Sequence, residues 1–126
     1  MSGALHVVPA ESAMVVAGRA NAMASRLMHR AHAQPGWFPY APACALVEAG
    51  RIRPGAAERI AALPGVGVLE LDLSAALAIA PDDTRGAAHA RHAARPTLER
   101  PGGAFVATTT PDRWAGQAVR VLDLSR

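Results

Sequence analysis

Apolar runs of strand length alternate along this chain with alanine-rich stretches of helical length. That alternation constrains the fold more than any single residue does. A strand followed by a helix and another strand closes most readily as a parallel unit, with helices covering the sheet. The first run is Leu5–Val8, followed by helical stretches over Glu11–Ala17 and Ala20–Ala33, split near Gly18. Gln34-Pro35-Gly36 stops the second, since proline and glycine interrupt helical hydrogen bonding.

Trp37–Tyr40 reads as a second strand, and Pro39 predicts that it is irregular or at an edge. Pro42 suits the first turn of a helix running to about Ala49, and Pro54–Leu63 reads as another. Val66–Leu71 is a third strand. Ser74 reads as the N-cap of a helix over Ala75–Ala80. Asp82-Asp83 open a further helix to about Ala94, where Pro96 forbids continuation. After a loop over Thr97–Gly103 come a strand over Ala104–Thr109, a turn over Pro111–Trp114 and a last strand over Val119–Leu122. The predicted fold is α/β: a three-layer α/β/α sandwich around a mostly parallel sheet of about five strands.

The 126 residues suffice for one domain, spanning 1–126, with one core. Only 4% of residues are aromatic, so alanine, valine and leucine must build that core. The one cysteine, Cys44, excludes an intramolecular disulfide framework. No apolar run approaches about 18 residues and no basic-then-apolar leader opens the chain, which predicts a cytoplasmic protein without a membrane partner. All basic residues are arginine, and the formal charge is +3. These arginines are scattered and are not interleaved with aromatics, which argues against a stacking platform for single strands.

Ligands of parallel α/β sheets bind beyond the carboxyl ends of the strands, near the point where strand order reverses. Chemistry is therefore sought at the strand exits. Glu48 is one acid in the otherwise small and apolar PACALVEAG. It is either an inward group at helical spacing from Ala41 and Ala45, or a helix-end partner of Arg51. Asp82 and Asp83 suit helix capping. Asp83 also heads a face shared with Ala87, Ala90 and Ala94. In GAFVATTTPDRWAG, the threonines that end the strand can orient water or contact phosphate, or can serve with Asp112 as turn chemistry.

The histidine pairs His29/His32 and His89/His92 have a spacing that places each pair on one helical face. Helix C-terminal halves favour histidine for electrostatic reasons alone, which is the commoner reading. Cys44, in an apolar helix with no base beside it in sequence, reads as a structural thiol. The chain has no GxGxxG after a strand, Walker loop, HExxH or GxSxG, so nucleotide-cofactor chemistry and serine hydrolysis lose their usual signatures.

The element order, together with LVEAGR, DDTRGAAHARHAA, FVATTTPDRWAG and the closing VRVLDL, resembles PIN domains from Leu5 to Leu124. The resemblance is to the small bacterial branch that contains the toxin ribonucleases of toxin–antitoxin pairs. It implies three or four acids at the strand exits that hold Mg²⁺ or Mn²⁺ for RNA cleavage. Hard divalent cations need such oxygen ligands. On this resemblance Glu48 matches the glutamate after the second strand, and Asp83 matches the aspartate that opens the alanine-rich helix.

The first aspartate of the family falls at Pro9 or Ala10, neither of which binds metal, and nearby Glu11 is expected to point elsewhere. The fourth acid falls at Thr110, with Asp112 two residues beyond. Ser12, Thr108 and Thr110 are supporting hydroxyls. The resemblance thus implies an incomplete acidic site in a binding or regulatory module, or in an inactive nuclease relative. The alternative is an active Mg²⁺- or Mn²⁺-dependent ribonuclease of a toxin–antitoxin pair, using Glu48, Asp83 and a substitute acid, Glu11 or Asp112. The partners so implied are RNA, a small antitoxin-like protein and a second copy of the chain.

Overall fold

The structure is a computed structural model that describes residues 5–16, 26, 37–63, 65–81 and 85–125. Its centre is a five-stranded sheet in which every pairing is parallel. The strands are β1 (Leu5–Pro9), β2 (Trp37–Pro42), β3 (Gly67–Leu69), β4 (Phe105–Thr108) and β5 (Arg120–Asp123), in spatial order β3-β2-β1-β4-β5. The helices are α1 (Glu11–Val16), α2 (Ala43–Ile52), α3 (Ala56–Ala61), α4 (Leu73–Ile79) and α5 (Arg85–Ala94), with a 3₁₀ turn at Pro111–Trp114.

Strand periodicity divides the core into two layers. Successive strand side chains point to opposite faces. Val7 and Ala107 accordingly join one buried cluster with Ala13 and Met14 of α1, Leu46 of α2 and Ile60 of α3. Val8 and Val106 join the other, with Ala90 and Ala94 of α5 and with Trp114. Helices therefore cover both faces, giving the expected three-layer α/β architecture. Alanines dominate both contacts. With only a methyl group between backbones, helix and sheet approach closely, and few aromatic rings are needed to fill the gap.

The chain builds β1, β2 and β3 outward to one side, then crosses to place β4 on the other side of β1. Strand order reverses between β1 and β4, so the crevice at their carboxyl ends is the expected ligand position.

Several local expectations need correction. Pro39 is not at an edge: β2 lies between β3 and β1, and Pro39 is buried in register with Val7. The missing N–H costs one ladder donor, but the neighbouring pairs hold the strand inside. Ser74 is not the cap of α4. The N-cap is Asp72, whose Oδ1 accepts from the Ala75 N–H at 2.8 Å, and the helix begins at Leu73. A carboxylate there satisfies an orphan donor and complements the positive helix end. Pro42 is the N-cap of α2 and not part of its first turn, and α2 runs on to Ile52. The third strand shortens to Gly67–Leu69. The helix expected over Ala20–Ala33 lies outside the described residues apart from Arg26. No helix among the described residues is long and apolar enough to cross a membrane.

Candidate functional site at the strand-order reversal

At the reversal point the exits of β1 and β4 are tied together by backbone and hydroxyl bonds. The Ala10 N–H donates to the Ala107 carbonyl at 2.8 Å. Two residues on, Ser12 Oγ lies 2.9 Å from Thr108 Oγ1 and accepts from the Thr109 N–H at 3.1 Å. Thr108 Oγ1 in turn lies 3.2 Å from Thr110 Oγ1 and accepts from the Thr110 N–H at 3.0 Å. Thr108 is fully buried, so these bonds satisfy a hydroxyl that would otherwise be costly to bury. The three supporting hydroxyls form one connected chain, engaged with protein groups.

The acids gather beside this chain. Glu11 opens α1, directly after the β1 exit. Glu48 sits on α2 between the fully buried Ala45 and Ala49 and is itself half-buried. Their meeting place is Gly86, near the start of α5. A Cβ built on Gly86 would lie 2.9 Å from Glu11 Oε2 and 2.9 Å from Glu48 Cγ. Glu11 therefore does not point elsewhere: its carboxylate turns towards Glu48. The reason is the short reach from the first turn of α1 across to α2, over a helix that has no side chain at that position.

The energetics agree with this geometry. Burial, and next the negative charge of Glu48, push the Glu11 carboxyl above its ordinary pKa. The Arg113 guanidinium and a bond from its own backbone act the other way and are weaker. Arg51, the alternative partner of Glu48, is exposed on the last turn of α2. Beside Glu11 lies a small cleft of about 140 Å³ bordered by Ala87, Arg91, Thr110, Arg113 and Gln117.

Of the other predicted groups, Asp112, Cys44, His89 and His92 are among the described residues. Asp112 is exposed on the 3₁₀ turn. Asp82 and Asp83 lie outside the described residues, as do His29 and His32. His89 is buried, and its Nδ1 accepts the Cys44 N–H at the start of α2 at 3.2 Å. The Glu70 backbone beside the ring favours its protonated form, more weakly than burial opposes it. The bond to Cys44 gives it a structural role joining α2 and α5. Burial raises the Cys44 thiol above its usual pKa, against the next-largest influence, the Arg85 charge, and with a smaller push from Glu48. A protonated thiol is a poor nucleophile, in line with the structural reading.

Sequence reasoning missed Gly86. Its signal was present: a glycine inside RGAAHARHAA costs about 1 kcal/mol relative to alanine in a helix, so a close approach is the natural reason for its presence.

The carboxylates present can be compared with what a resident divalent cation needs. Among the described residues, no group of three or more His, Cys, Asp or Glu side chains is placed to hold a metal ion. Glu11 and Glu48 supply two carboxylates, and the β4 exit supplies hydroxyls already bonded to one another. Among the described residues this set amounts to two carboxylates, and the predicted ligand Asp83 lies outside them. The chain matches no protein-family model and no curated protein.

Proposed function

We propose that this protein is a PIN-like domain whose acidic crevice is incomplete, and that it acts as a binding or regulatory module in place of an efficient ribonuclease. The observation that carries the reading is the makeup of the reversal point. Its first strand ends in Pro9 and Ala10, both buried and without a ligand atom. Its fourth ends in Thr108, whose hydroxyl is taken up by Ser12 and Thr110. Mg²⁺ binds proteins through few carboxylates and dehydrates reluctantly, so the absence of two from a small set weakens binding severely. Calorimetric titration with Mn²⁺ tests this. The expected result is no saturable one-site binding that depends on Glu48. Tight one-site binding that disappears in Glu48→Gln would overturn the reading.

One observation favours the alternative. The approach of Glu11 to Glu48 supplies a substitute acid close to the crevice; Asp112, the other substitute, is exposed on the 3₁₀ turn. In this second reading Glu11, Glu48 and Asp83 support Mg²⁺- or Mn²⁺-dependent cleavage of RNA. The two readings separate on whether metal-dependent cleavage exists and whether Glu11→Gln and Glu48→Gln abolish it. The implied associations with RNA, with a small antitoxin-like protein and with a second copy belong to the proposal and are testable by co-purification and by sedimentation.

A further inference from the structure

We propose that the opposite, amino-terminal end of the sheet carries a second site, a cleft lined by Arg100, Arg120 and His6 that binds a phosphate group. The strands are all parallel, so this end lies a strand length away from the acidic crevice, and the inference does not rest on the reading of that crevice.

The cleft encloses about 300 Å³. His6 comes from the start of β1, Phe105 from the start of β4 and Arg120 from the start of β5. Arg100 and the Gly102-Gly103 pair come from the loop that returns from α5 to β4. No acidic residue lines it among the described residues. The guanidinium of Arg120 lies 4.3 Å from the centre of the Phe105 ring, and its Nη2 donates to the Gly102 carbonyl at 2.6 Å. That of Arg100 lies 4.8 Å from the centre of the Tyr40 ring. The Tyr40 hydroxyl in turn is 3.0 Å from His6 Nδ1, and His6 stacks between Phe38 and Tyr40.

Three features point to an anion. Both guanidiniums are oriented by ring stacking, which fixes a planar fork before any ligand arrives. Neither meets a carboxylate among the described residues, and the Nε of Arg100 is buried with no hydrogen-bond partner. The Arg100 charge is also felt inside the cleft: after burial, it is what holds the His6 imidazole below its usual pKa. An uncompensated group of this kind is relieved by a multiply charged anion. Phosphate fits best, because arginine forks bind its oxygens in pairs. The volume lies at the lower end of small-ligand pockets, about 300–1,000 Å³. It has room for a phosphate with a small organic group attached, either a free phosphate ester or the terminal phosphate of an RNA strand.

Calorimetry with inorganic phosphate, AMP and adenosine, and with a short RNA carrying or lacking a 5′ phosphate, tests the site. Inorganic phosphate and AMP are expected to bind in a saturable one-to-one manner, and adenosine is not. Tighter binding of AMP than of the phosphorylated RNA identifies a small-molecule site, and the reverse identifies an RNA end. In either case Arg120→Gln should weaken binding about tenfold or more, as should Arg100→Gln, because each removes a charged fork. Arg120 is exposed, so its variant keeps the test decisive even if Arg100→Gln fails to fold. Arg51→Gln, at an exposed position on α2, should leave binding unchanged. The proposal is overturned if no phosphate-bearing probe binds saturably, if Arg120→Gln binds as the parent does, or if Arg51→Gln weakens binding equally.

Discussion

Replacing Glu11 by glutamine should stabilise the protein at neutral pH, although it removes a charge from the first turn of a helix. Glu11 Oε2 and Glu48 Cγ each lie 2.9 Å from the point that a Gly86 Cβ would occupy. The two side chains therefore approach within about 6 Å, where like unit charges repel by about 3 kcal/mol at an effective dielectric constant of about 20. Both groups are partly exposed, so solvent and salt screening reduce the net effect to about 1 kcal/mol. The helix end and Arg113 oppose the gain but are outweighed, since the Glu11 pKa is raised overall.

The sign with pH follows from that direction. The folded-state pKa of Glu11 lies above its ordinary value of 4.5. Its protonated form thus contributes stability that is complete below that value and lost as pH rises through the folded pKa. Urea unfolding of parent and Glu11→Gln at neutral pH should differ by about 1 kcal/mol in favour of the variant, or roughly 3–6 °C in melting temperature. At a pH low enough to protonate Glu11 the difference should vanish. Glu48→Gln should behave similarly, and the double variant should gain less than the sum of the two. A loss of stability in Glu11→Gln at neutral pH, or a gain independent of pH, would refute the coupling of the two acids.

Three further outcomes are expected. His89→Leu leaves the Cys44 N–H without its acceptor and should cost about 1–3 kcal/mol in chemical denaturation. Burial and the His92 charge hold the His89 pKa below its ordinary 6.5, so parent stability should fall as pH drops below that value, and this part of the dependence should be missing in His89→Leu. Thr108→Val keeps the volume but removes the acceptor for the Thr110 N–H and the link to Ser12; a loss of about 1–2 kcal/mol in urea unfolding is expected. Gly103→Ala should be the most damaging small change, seen as a collapse of soluble yield or melting temperature. Its φ is +72°, and a Cβ there would stand 2.5 Å from the Ala94 carbonyl oxygen, a backbone atom that cannot move cheaply.

The layered fold was legible because strand and helix periods differ, and alternation of the two demands a covered parallel sheet. Element ends were less legible where a polar residue had two uses. Asp72 and Ser74 both suit an N-cap, and only the backbone direction after β3 selects Asp72. Pro39 was misplaced because the rule against interior proline is local, whereas the position of β2 is set by its two neighbours. At the site, Glu48 stood out as an acid on a small helix face. The direction of Glu11 did not, because it depends on the packing of three helices around Gly86. The cleft at the other end was invisible for a related reason. Its arginines are scattered in sequence and meet only when the starts of β1, β4 and β5 align.

The central proposal, an incomplete acidic crevice without efficient nuclease chemistry, is tested most directly by RNA cleavage. Structured and unstructured RNA would be incubated with the purified protein in Mg²⁺, in Mn²⁺ and in EDTA, alongside Glu11→Gln and Glu48→Gln. The account predicts no metal-dependent cleavage by the parent above that of the two variants. Metal-dependent cleavage by the parent that EDTA stops and that Glu11→Gln or Glu48→Gln abolishes would contradict it.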